Sequence, residues 1–150
     1  MKISFVAGFG PIVRDVEASR RFWGAGLGID LEEAAPNYWA SDALPGVKAF
    51  ALWRLSQAAE SCVGVNMWPD EIPAPQTWVE LDVESPHSVA EAVSELTAAG
   101  HRLLRDAREE PWGQTTARLL SPEGLLVGVT YTPWMHPDAG SDGTADAGID

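Results

Sequence analysis

Residues 78–99 read W-V-E-L-D-V-E-S-P-H-S-V-A-E-A-V-S-E-L-T-A-A, and two periods meet in them. Over Trp78–Val83 the residues alternate, with Val79, Leu81 and Val83 on one side and Trp78, Glu80 and Asp82 on the other. That period of two predicts a strand whose valine side packs on a helix. From Pro86 the spacing changes to that of a helix, with Val89, Val93 and Leu96 on one face and Gly100 as the stop. Ser85 is placed to cap it, and Pro86 suits its first turn.

Working outward, the same half continues with a short strand at His101–Leu104 and a charged loop at Asp106–Gly113. Next come a strand at Thr115–Leu120, an S-P-E-G turn and an apolar strand at Leu125–Tyr131. The order is β-α-β-β-β. Upstream, Pro69–Gln76 holds three prolines and predicts an extended linker. The first half repeats the plan: a strand at Phe5–Val13, a helical pattern over Asp15–Gly26, and strands at Ile29–Ala34 and Val47–Trp53. Its fourth strand is irregular, because Leu55–Cys62 reads as a short helix. Laying Val13 over Val83 gives an offset of about 70 residues, which fits a duplicated module. The fold class is α+β: two tandem βαβββ modules forming curved mixed sheets around a cleft. The modules occupy residues 1–68 and 77–134, with the linker at 69–76 and an acidic, solvated tail at 135–150.

Composition limits the function. The chain has 150 residues and a net charge of −12, from 22 acids against 10 bases. Such acidity disfavours nucleic acid and anionic membrane surfaces as partners. Apolar runs fall short of the roughly 18 residues of a membrane span. The opening M-K-I-S-F-V-A-G-F-G-P-I-V is briefly signal-like, but Pro11 and the helical pattern after Arg14-Asp15 make it a buried strand of a cytoplasmic protein. A single cysteine, Cys62, precludes a disulfide within the chain and reads as a buried thiol.

Two stretches carry a family likeness. Gly10–Ile29 is G-P-I-V-R-D-V-E-A-S-R-R-F-W-G-A-G-L-G-I, and Pro111–Val129 is P-W-G-Q-T-T-A-R-L-L-S-P-E-G-L-L-V-G-V. With the doubled module they resemble the vicinal oxygen chelate superfamily, which includes glyoxalase I, extradiol dioxygenases and bleomycin-resistance proteins. The likeness spans about Phe5 to Pro133 and implies a ligand cleft, often formed across a homodimer.

In metal-dependent members of that superfamily, ligands project inward from first and last strands. Carried over, those places fall on Gly8, Trp78 and Gly128, none of which can ligate. The fourth place cannot be set on the irregular strand. His87, His101 and His136 lie at a helix start, a helix exit and the tail boundary, with no strand face in common. The resemblance is therefore closest to the metal-free, bleomycin-resistance-like branch, with its antibiotic-binding role. It implies a binding protein that takes a planar or amphipathic organic ligand without a cofactor. Candidate ligand-binding residues are Gly8, Gly10, Trp53, Trp78, Glu80, Trp112, Arg118 and Gly128. Trp78 is the clearest cleft residue by alternation, and Trp112 sits where a lid would. Two alternatives stay open: an enzyme of this fold with a divalent metal, and a metal-free enzyme with Glu80 as general base and Tyr131 or Arg118 as partner.

Overall fold

The computed structural model describes residues 1–137. The expected acidic tail lies outside the described residues from position 138 onward.

Among the described residues, eight strands and three helices follow one another in two similar halves. The first half runs β1 (Phe5–Val13), α1 (Val16–Ser19), β2 (Glu32–Ala35), β3 (Tyr38–Ser41) and β4 (Phe50–Arg54), with α2 (Leu55–Val63) appended. The second runs β5 (Thr77–Asp82), α3 (Pro86–Ala98), β6 (Leu103–Glu109), β7 (Thr115–Leu120) and β8 (Leu126–Tyr131). All strands join one sheet in the order β2-β3-β4-β1-β5-β8-β7-β6. Each module contributes four neighbours, and the two meet where β1 pairs antiparallel with β5. Within each module the first and last strands are parallel, β1 with β4 and β5 with β8.

Local chemistry sets the helix starts. Asp15 Oδ1 accepts the Ala18 N–H at 3.0 Å, and Ser85 Oγ accepts the Ser88 N–H at 3.1 Å. Each such cap stabilises its helix by about 1 kcal/mol. After one turn α1 widens into a π-helical segment, Arg20–Gly26.

Alternation then sorts the sheet's two faces. On the outer face, α3 packs Val89 and Ala92 on Val83, Ala117 and Val129. Val16 and Trp23, from α1 and the π-helical turns, pack on Val13, Phe50 and Leu52. On the inner face, Ala51, Trp53, Trp78 and Leu126 form a third cluster with Ala58, Ala59 and Cys62 of α2. Trp68, whose Nε1–H donates to the Ile72 carbonyl at 3.0 Å, joins that cluster from the linker region.

Three sequence expectations are corrected. Leu55–Cys62 is a helix as read, but the module still has a regular closing strand: it is β4, which overlaps the Val47–Trp53 reading. The strand that sequence missed is β3, a four-residue partner of β2 across a turn at Pro36-Asn37. Asn37 adopts φ 57°, the left-handed conformation that lets so short a hairpin close. Secondly, the charged stretch Asp106–Gly113 is strand as far as Glu109. Irregular pairing of β6 with β7 breaks the alternation that would have revealed it. Thirdly, residues 135–137 do not begin a free tail. Pro133–Met135 forms a 3₁₀ turn, and His136 is bonded to Asp82.

Candidate functional site

The inner face gathers residues of both modules at the β1–β5 junction. Register places Gly8 opposite Glu80, Gly10 opposite Trp78, and Gly128 opposite Glu80 on the other side. Arg118 pairs with Gly128 from β7. Seven of the eight candidate residues therefore come together: Gly8, Gly10, Trp53, Trp78, Glu80, Arg118 and Gly128. The eighth, Trp112, lies at the rim in the β6–β7 turn and is half-exposed.

The face is not an open slot, and this corrects the expectation of an aromatic cleft. Trp78 points inward but is only 4% exposed, beneath α2. Its Nε1–H donates to the Ala51 carbonyl at 3.2 Å, and its ring meets Trp53 edge-on at 6.1 Å. The bare backbones have the same cause. A Cβ at Gly8 would approach the Trp78 ring at 2.9 Å, and one at Gly10 would strike the Ala51 carbonyl. The glycines leave room for the neighbouring backbone carbonyls and for the protein's own indole.

Beside the indole lies a buried ion pair. Arg118 is 1% exposed, and its Nη2 donates to Glu80 Oε1 at 3.1 Å. Arg118 Nε donates to Ser61 Oγ of α2 at 3.0 Å, and Ser61 donates to Glu110 Oε1 at 2.7 Å. Arg108 Nη2 closes that side on Glu110 Oε2 at 2.9 Å. The Arg118 guanidinium also faces the Trp53 ring at 4.6 Å. Charges within the cluster are matched, as burial requires.

Glu80 Oε2 accepts from Gln114 Nε2 at 3.0 Å, and the same amide donates to Thr132 Oγ1 at 2.8 Å. Gln114 Oε1 accepts the Trp112 indole N–H at 2.7 Å. Both Glu80 oxygens thus hold donors, which fix the carboxylate in place. Tyr131 is no partner for Glu80, because it lies on the outer face with the α3 cluster.

Sequence reasoning missed several members of this site. Tyr38 of β3 is near enough to feel both charges. Burial raises its phenol pKa, the Glu80 charge raises it further, and Arg118 opposes the shift. Burial likewise pushes the Cys62 thiol up to about 11, against the pull of Arg118. Ser61 and Gln57 come from α2, which sequence read as a short helix without its role as the cover of the face. Three buried side-chain atoms lack a protein partner among the described residues: Arg118 Nη1, Arg108 Nε and Gln57 Oε1. Ser61 and Gln57 are one helical turn apart, so both lie on the α2 side that faces the sheet.

The donor set does not suit a metal ion. The inward places carry Gly8, Trp78 and Gly128, and a side chain at Gly128 would meet Arg118 and Glu80. Among the described residues, no group of three or more His, Cys, Asp or Glu is placed to hold one. No helix among them is long and apolar enough to cross a membrane.

The family model of the glyoxalase-like domain matches residues 9–130. The chain belongs to the glyoxalase-like domain family. Solved structures share the fold of this glyoxalase-like chain at low identity. A glyoxalase/bleomycin resistance protein/dioxygenase superfamily member from Vibrio splendidus is 15% identical, covering 85% of this chain and 98% of its own, at TM-score 0.55. The Mn(II)-bound glyoxalase from Novosphingobium aromaticivorans is 19% identical over 87% of this chain and 39% of its own, at TM-score 0.57. Methylmalonyl-CoA epimerase from Streptomyces coelicolor is 14% identical over 87% of this chain and 96% of its own, at TM-score 0.53. No curated protein matches the chain. At these identities the likeness carries the fold, and function has to be argued from the site.

Proposed function

We propose that this glyoxalase-like chain binds a small, neutral, planar organic molecule between α2 and the inner face of the sheet, without a metal. The observation that supports this most is the unpartnered Arg118 Nη1. A buried donor left without an acceptor costs about 1–3 kcal/mol, so an acceptor supplied by a guest recovers that amount. Gln57 Oε1, from α2, also lacks a donor. A guest with a carbonyl beside an N–H, such as a carboxamide or lactam, meets both needs. Charge favours neutrality: Glu80 already balances Arg118, and Glu110 lies one hydroxyl away. A guest carboxylate would add a third acid. Trp112 and Trp53 offer ring surface at the rim and in the floor. Entry requires α2 to lift, and α2 is nine residues long and ends at Gly64 in the left-handed conformation.

The role that fits is sequestration of a drug-like or natural aromatic compound. It fits a homodimer as well, because Val6 and Phe9 of β1 remain exposed for a second copy to cover. The test is indole fluorescence titration, in the presence of EDTA, with a panel of planar lactams and carboxamides. Saturable quenching that weakens at least tenfold in Arg118→Lys supports the reading. A panel with no saturable quencher overturns it.

A further inference from the structure

An unbroken chain of hydrogen bonds runs from the surface to the ion pair. His136 Nε2 lies 2.6 Å from Asp82 Oδ1, and Asp82 Oδ2 accepts the Thr132 backbone N–H at 2.9 Å. Thr132 Oγ1 accepts from Gln114, and the same Gln114 nitrogen donates to Glu80. The orientation of the amide is fixed. An indole N–H can only donate, so the Gln114 carbonyl must face Trp112 and its NH₂ must face Glu80 and Thr132. Asp82 is fully buried, whereas His136 keeps 18% of its side chain in solvent. Of the titratable side chains in this chain of contacts, His136 is the most exposed, ahead of Glu80 at 12%.

We propose that His136 is a positioning residue for the candidate site, acting through Asp82, Thr132 and Gln114 on Glu80 and Trp112. Its consequence for ligand binding rests on the function proposed above, while the coupling itself does not. The cause is electrostatic. A protonated imidazole compensates the buried Asp82 carboxylate, which holds Thr132 and so the acceptor that shares Gln114 with Glu80. When the imidazole loses its charge, that compensation weakens and the chain leaving β8 loosens. Few other groups face the ring. Phe5 of β1 and Tyr131 of β8 flank it at 5.4 Å and 4.6 Å between centroids. Lys48 Nζ sits over the Phe5 ring at 4.6 Å. Asp82 is the only carboxylate in contact with it among the described residues.

The test is NMR of the whole chain between about pH 5 and 8, the range in which histidine charge changes. It follows the Trp112 indole N–H, assigned with Trp112→Phe, beside the His136 ring signals. The indole should shift with the midpoint of the His136 ring. His136→Gln, which keeps a hydrogen bond to Asp82, should flatten that response while the remaining indole signals stay in place. Should His136→Gln fail to fold, Asp82→Asn gives the same readout. An indole that stays still while His136 titrates overturns the proposal, as does one that moves equally in the variant. Fluorescence titration of the same variants with a quencher from the panel separates the two ideas. An NMR response with no quencher for the wild type leaves the coupling standing and removes the ligand reading.

Discussion

The Arg118 guanidinium and Gly128 claim one volume: a Cβ on Gly128 would stand 3.0 Å from Arg118 Nη1 and 3.1 Å from Glu80 Cγ. Gly128→Ala must therefore push a buried ion pair that has little room to move. Overpacking of this kind costs about 1–3 kcal/mol, read as a lower urea midpoint at unchanged slope. Gly24→Ala is the control, since its Cβ would meet Leu31 Cδ1 at an ordinary 3.5 Å.

The Arg118–Glu80 pair holds the site in shape more than it stabilises the fold. Arg118→Met alone leaves Glu80 buried without its cation, and Glu80→Leu alone strands the guanidinium. Each should cost about 3–5 kcal/mol, while the double variant should come close to wild type. A double-mutant cycle by urea unfolding measures this, and additive losses would contradict it.

Cys62 is fully buried between α2 and the sheet, with its thiol held near 11. The reactive species is the thiolate, so a water-soluble disulfide reagent at neutral pH should label the native chain far more slowly than the unfolded chain. Rapid labelling of the native chain would mean that α2 opens readily.

Asp82 gives a pH dependence with a definite sign. Burial raises its pKa above the ordinary 3.8, and its hydrogen bonds to His136 and Thr132 oppose part of that rise. Between the unfolded and the native value, the folded state therefore holds a proton that the unfolded state has released. This contribution to stability is complete below the unfolded value and is lost as pH climbs through the native value. Asp82→Asn should flatten the slope of melting temperature against pH from about 4 upward. A slope that is unchanged in the variant would assign it to other groups.

Much of the frame was legible because it follows from period. Alternation over Trp78–Val83 sorted the faces correctly, and Ser85 and Asp15 marked their helix starts. The β3 strand escaped because Y-W-A-S is too short to show a period, although Asn37 beside Pro36 was a turn signal. The filling of the inner face was hidden for a different reason. A glycine on a strand face shows that something needs room, not whether a guest or a neighbouring indole takes it. At Gly8 the space is shared by the Ala49 carbonyl and the Trp78 ring, at Gly10 it is taken first by the Ala51 carbonyl and then by Trp78, and at Gly128 by Arg118 with Glu80. His136 read as a boundary histidine because its partner, Asp82, lies 54 positions away in sequence.

An indole and an ion pair fill the inward places, and the proposed function accordingly needs no metal ion there. The direct measurement is elemental analysis of chain dialysed against manganese, zinc, nickel or iron(II), paired with a melting curve for each ion. The account predicts well under one equivalent of bound metal and an unshifted melting temperature. One equivalent retained through dialysis, with a raised melting temperature, would contradict it.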